Sequence, residues 1–86
     1  MVITLYTGPH CHLCEQAEAI LQPLLAECGV ALRKVDINSD PLLYERLRYT
    51  IPVVSVPALP EPLEKGWPFS RGQLRRLLQQ AGVSGL

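Results

Sequence analysis

The chain lacks what several large classes of protein require. No apolar run approaches the ~20 residues of a bilayer-spanning helix. The opening Met1-Val2-Ile3-Thr4-Leu5-Tyr6 has no basic stretch, and its apolar run is too short for a secretory signal. A cytoplasmic chain with mostly reduced thiols is therefore expected. There is no excess of charge to attract nucleic acid, because eight Lys+Arg balance eight Asp+Glu. Basic residues cluster no further than Arg33-Lys34 and Arg75-Arg76. Neither nucleic acid nor a membrane is an expected partner. No internal repeat and no linker interrupts the chain. Cysteine is scarce and odd in number, three in all, which argues against a pure disulfide framework.

What is present is enough for one domain spanning residues 1–86. The 48% apolar content exceeds that of a disordered chain. At this size folding buries only about 60% of the unfolded surface, so the core is modest.

The pattern along the chain alternates strand and helix. Val2 to Tyr6 reads as a buried strand, and Thr7-Gly8-Pro9 as a turn. Leu13, Ala17, Ile20, Leu21, Leu24 and Cys28 recur at helical spacing, predicting a helix from about Cys11 to Cys28 with Gly29 as its stop. Pro23 lies inside it and predicts a kink or short break. Val30 to Ile37 reads as a second strand, its Arg33 and Lys34 suiting a sheet edge. Asp40-Pro41 opens a short helix to about Arg48. Pro52 leads into a third strand, Val53 to Val56, and a fourth is expected around Leu63 to Lys65. Ser70 and Gln73 form a capping box, with Phe69 and Leu74 as the staple, and the last helix ends at Gly82. The order is β-α-β-α-β-β-α. The first two strands should be parallel with a right-handed crossover, and the last two an antiparallel hairpin. The fold class is α/β with a small mixed sheet.

The residues that carry chemistry are Cys11-His12-Leu13-Cys14, which follow a strand and a turn and open a helix. That context turns a bare C-x-x-C into a redox candidate. The free N–H groups and the dipole at a helix N-terminus stabilise an anion, here the Cys11 thiolate, and only the thiolate attacks. A pKa lowered from ~8.5 to ~6.5 would raise the thiolate fraction at pH 7 from about 3% to about 75%. Cys14, one turn further in, should be more buried and serve as the resolving thiol. His12 between the cysteines and His10 before them could tune the couple by their charge. Metal chemistry is the rival. His10, Cys11, His12 and Cys14 are a dense set of soft ligands, yet a structural zinc site wants four, commonly as two spaced pairs, and no second pair exists. Haem attachment would need His where Glu15 stands. A metal or Fe–S cluster shared between two chains through the cysteines remains the alternative function.

With these residues in view, the chain resembles the glutaredoxin-like proteins of the thioredoxin superfamily. The resemblance runs from Val2 to about Ala81. It rests on Leu5-Tyr6-Thr7, then Cys11-His12-Leu13-Cys14, then Val35-Asp36-Ile37, then Thr50-Ile51-Pro52. It implies a four-stranded mixed sheet flanked by helices. It also implies that Pro52 is cis and lies against the disulfide, that backbone at Ile51 pairs with the substrate, and that Thr50 lines the same groove. Two departures bear on the electron donor. The Lys common shortly before the C-x-x-C is replaced in that stretch by Gly8. The Gly-Gly turn and Asp before the last helix are replaced by Gly66-Trp67-Pro68-Phe69-Ser70. Glutathione use is therefore expected to be weak.

Other residues have plainer readings. Cys28 is a small apolar residue of the helix stripe. Asp36 is a surface or turn residue. Trp67 and Phe69 belong to core packing or the staple. The expected function is thiol–disulfide exchange by Cys11 and Cys14. It needs no bound cofactor and no metal. The expected partners are a disulfide-bearing protein or small thiol and a thiol reductant, acting on a monomer.

Overall fold

The computed structural model describes residues 1–85. Its elements are β1 (Val2–Thr7), α1 (His12–Cys28), β2 (Ala31–Asp36), a 3-10 turn (Ile37–Ser39), α2 (Pro41–Leu47), β3 (Val53–Val56), β4 (Leu63–Gly66) and α3 (Arg71–Gln80). The four strands form one sheet in the order β2-β1-β3-β4. β1 runs parallel to β2 and antiparallel to β3, and β3 pairs antiparallel with β4. The α1 crossover between parallel strands puts the start of that helix at the end of the central strand, β1.

Strand alternation divides the side chains between two faces. Ile3 and Leu5 of β1 join Val54 and Val56 of β3 under Ala17, Leu21, Leu24 and Leu25 of α1 and Leu74 and Leu78 of α3. Burying each of these larger side chains contributes about 1.5–3 kcal/mol. A smaller cluster of Ile37, Leu47 and Val53, with Tyr6, Leu43 and Ile51 packed on it, seats α2. Phe69 and Leu74 meet in the main core, and Trp67 packs edge-on to Phe69 with ring centroids 5.1 Å apart. Among the described residues no helix is long and apolar enough to cross a membrane.

The sequence signals place most element ends. Asp40 caps α2 through a bond from the Leu42 N–H (2.9 Å), and Pro41 is its first residue. Ser70 and Gln73 form the reciprocal capping box of α3. Gly29 closes α1 at φ 66°, a left-handed conformation in which its missing Cβ matters. β2 sits at a sheet edge, where Arg33 and Lys34 are exposed. Two details differ from expectation. No break interrupts α1 at Pro23. Pro23 and Ala19 are both exposed, so the carbonyl deprived of its donor can be satisfied by water. Leu13 is 43% exposed instead of joining the apolar stripe, and Cys14 takes its place. Helical spacing admits either register; packing on β1 selects Cys14, Ala17, Leu21 and Leu24.

Candidate active site

Cys11 is the N-cap of α1, in extended backbone at φ −105° and ψ 98°. Its Sγ accepts a hydrogen bond from the Cys14 N–H at 3.1 Å, an N–H left free by the helix start. Cys14 follows three residues on, and a disulfide joins the two, with Cα atoms 5.2 Å apart. The pair is asymmetric. Cys11 is half-buried, whereas Cys14 is only 5% exposed.

The surroundings come from several elements. A groove of about 550 Å³ borders the disulfide, lined by Thr7, Gly8, Glu18, Lys34 and Asp36. Glu18 lies one helical turn beyond Cys14, and its carboxylate accepts from Lys34 Nζ of β2, with 3.1 Å between the closest atoms. Neither residue was singled out by motif; Glu18 could have been found from its spacing to Cys14. His10 and His12 are exposed beside the cysteines. His10 holds a left-handed φ of 55°. His12 Nδ1 lies 3.7 Å from Glu15 Oε2. Among the described residues no three His, Cys, Asp or Glu side chains converge as a metal-binding set.

Thr50, Ile51 and Pro52 form the loop that enters β3. The Thr50 hydroxyl donates to the Leu47 carbonyl at 3.1 Å. The Ile51–Pro52 peptide is cis, as are Leu59–Pro60 and Trp67–Pro68. Pro52 is buried, and its carbonyl accepts from the Trp67 N–H at 3.0 Å. Ile51 approaches the turn before Cys11 so closely that a Cβ on Gly8 would sit 2.9 Å from its Cδ1. Glycine at that position thus lets two loops from distant parts of the chain touch. Strand-like pairing of Ile51 with a substrate would need a free N–H, and here that N–H already donates to the Leu47 carbonyl at 3.1 Å. The helix-closing bonds of α2 take it, leaving the carbonyl.

At the far residues the readings separate. Cys28 is half-buried, and its thiol donates to the carbonyls of Leu24 and Leu25 at the end of α1, far along the helix from the disulfide. Asp36 accepts from the Asn38 N–H (2.8 Å) and caps the 3-10 turn.

A family model described as a glutaredoxin-like domain matches residues 2–79. The chain belongs to the glutaredoxin-like family. A solved structural-genomics target protein from X. campestris is similar to this glutaredoxin-like chain at 34% identity. It aligns over 92% of this chain and 97% of that one, with a TM-score of 0.71. Thioredoxin 1 from Thermosipho africanus shares the fold at 16% identity, over 93% of this chain and 92% of that one, with a TM-score of 0.72. A malarial protein does so at 17% identity, over 93% of this chain and 94% of that one, with a TM-score of 0.71. No curated protein matches the chain significantly. The fold of this glutaredoxin-like chain is thioredoxin-like, and its close cysteine pair supports a redox-type role.

Proposed function

We propose that this glutaredoxin-like chain is a thiol–disulfide oxidoreductase in which Cys11 attacks and Cys14 resolves. The observation that carries the reading is the position of Cys11: a half-buried residue whose sulfur caps a helix and holds the N–H of the very residue that would resolve it. In the reduced chain the Cys11 thiolate attacks one sulfur of a substrate disulfide. A new S–S bond forms to Cys11, and the other substrate sulfur leaves as a thiolate that takes up a proton. The Cys14 thiol loses its proton and attacks Cys11. This forms the Cys11–Cys14 bond and releases the second substrate sulfur. Two electrons have passed from the dithiol to the substrate. Helix-start N–H groups and the dipole favour the thiolate as attacker and as leaving group.

Thr50 and Ile51 would flank the bound substrate, the Ile51 carbonyl supplying an acceptor, and Pro52 would fix the loop. His10 and His12 would raise the local positive charge when protonated. The chemistry requires no resident cofactor beyond the cysteine pair. It draws on a thiol reductant, fits a cytoplasmic setting in which thiols are kept reduced, and would serve the thiol–disulfide balance of the cell.

The test is a pair of variants. Cys11→Ser should abolish disulfide reduction, since a hydroxyl is far less nucleophilic than a thiolate. Cys14→Ser should accumulate a covalent adduct with the substrate, visible by mass spectrometry. Full turnover by Cys11→Ser would sink the assignment.

A further inference from the structure

Beside the cysteines, on the α2 side, lies a second surface that the redox chemistry leaves unexplained. A groove of about 440 Å³ is walled by Gly8 and Pro9 of the turn before Cys11, by Ile51, and by Tyr44, Arg48 and Tyr49. Among the described residues Arg48 is the one charged side chain lining it. Gly8 also walls the groove that holds the disulfide, so the two spaces adjoin at one residue. On its other side the groove opens past Arg48 into a further space of about 580 Å³ over α2, which reaches Pro41 and Glu45.

Arg48 is poised without a carboxylate. Its guanidinium carbon stands 4.5 Å from the centre of the Tyr49 ring and 5.5 Å from that of Tyr44, and its Nη2 donates to the Tyr49 hydroxyl. Arg46, Arg71, Arg75 and Lys34 each pair with a glutamate; among the described residues Arg33, Lys65 and Arg76 have no such partner either, but none of them lines this groove. Among the described residues no carboxylate reaches Arg48 within the 4.0 Å of an ion pair. The two rings hold the cation in place, so little side-chain freedom is lost when a partner arrives. Its planar fork suits a carboxylate. Tyr49 is 84% exposed, and Tyr with Arg is the composition that dominates protein contacts.

Resting on the oxidoreductase reading, we propose that the Tyr44–Arg48–Tyr49 groove selects protein disulfides in which an acidic side chain flanks the reacting cysteine. The substrate cysteine meets Cys11, the chain crosses the Gly8–Ile51 contact, and the flanking Asp or Glu reaches Arg48. The extension of the groove over α2 favours a polypeptide, because it gives the chain beyond the acidic residue a place to lie.

The test uses the full reduced protein and two synthetic peptides, each with one disulfide, alike except that Glu flanks the cysteine in one and Gln in the other. Single-turnover rates are measured for wild type, Arg48→Gln and Arg48→Lys. The wild type should reduce the acidic peptide roughly two- to fivefold faster, and added salt should narrow the gap. In Arg48→Gln the ratio of the two rates should fall to about one, and Arg48→Lys should keep part of it. Equal wild-type rates, or a ratio that survives in Arg48→Gln, would overturn the groove's role while leaving the oxidoreductase reading intact. If the wild type reduces neither peptide, both proposals fall.

Discussion

At the scale of single residues, the site is a difference between two sulfurs of the same kind. Cys11 and Cys14 share a helix turn, yet one caps it and the other packs beneath. Nucleophilicity follows thiolate character and access, and both favour Cys11. In the reduced protein a thiol-alkylating reagent should therefore mark Cys11 at least ~10-fold faster than Cys14, with Cys28 also slow. Peptide mapping after brief exposure reads this directly, and equal labelling of Cys11 and Cys14 would contradict the asymmetry. This much was legible in sequence, because a C-x-x-C after a strand and a turn fixes which cysteine caps the helix. Arg48 was not legible. An arginine at the end of a short helix, two residues after Arg46, carries no pattern of its own, and its place in the groove appears only when Gly8, Tyr49 and Ile51 are brought around it.

Among the elements, legibility follows the strength of the local signal. Asp40-Pro41 and the Ser70/Gln73 box are written in side chains that bond their own backbone, and both open helices where expected. Pro23 misleads because the rule counts a lost hydrogen bond without asking where it is lost; on an exposed face water can replace the donor. The capping box supplies an element-level prediction. Ser70→Ala removes the acceptor for the Gln73 N–H, a bond of 3.2 Å. The loss should be about 1 kcal/mol, lowering the melting temperature of a domain this small by roughly 4–8 °C. Thermal unfolding followed by circular dichroism measures it; an unchanged midpoint would show that the box adds nothing. Glu27 of α1 also meets Arg71 and Arg75 of α3, but these exposed pairs should change stability little.

For the whole molecule, the order β2-β1-β3-β4 explains why the site sits where it does. The central strand β1 delivers Gly8 and the cysteines to one end of the sheet, and the loop entering its neighbour β3 delivers Ile51 beside them. The sequence implied a parallel first pair and an antiparallel last pair; what strand periodicity could not give was how the two pairs join, with β1 beside β3 and β2 and β4 at the edges. The same arrangement bears on the electron donor. No lysine precedes the cysteines in the stretch around Gly8, and the Ser70 side chain is engaged in its capping box, so two partners for a glutathione carboxylate or amine are missing. Each lost charge-assisted bond costs on the order of 1.5–3 kcal/mol. Turnover with glutathione should fall at least ~10-fold below turnover with a thioredoxin-type reductant. Comparable rates would mean that other side chains hold the tripeptide.

The disulfide joins residues only three apart within the first turn of a helix. A covalent ring that small removes little freedom from an unfolded chain; the loop-entropy relation gives about 2 kcal/mol for four residues. The sheet and its two apolar clusters carry the rest of the folding free energy, so opening the bond removes only this increment from the folded state. Folding and oxidation are linked through one thermodynamic cycle, and the folded architecture can favour the closed bond over the open one by no more than the closed bond favours the fold. On this entropy term the linkage is weak, and the same architecture is expected in both oxidation states.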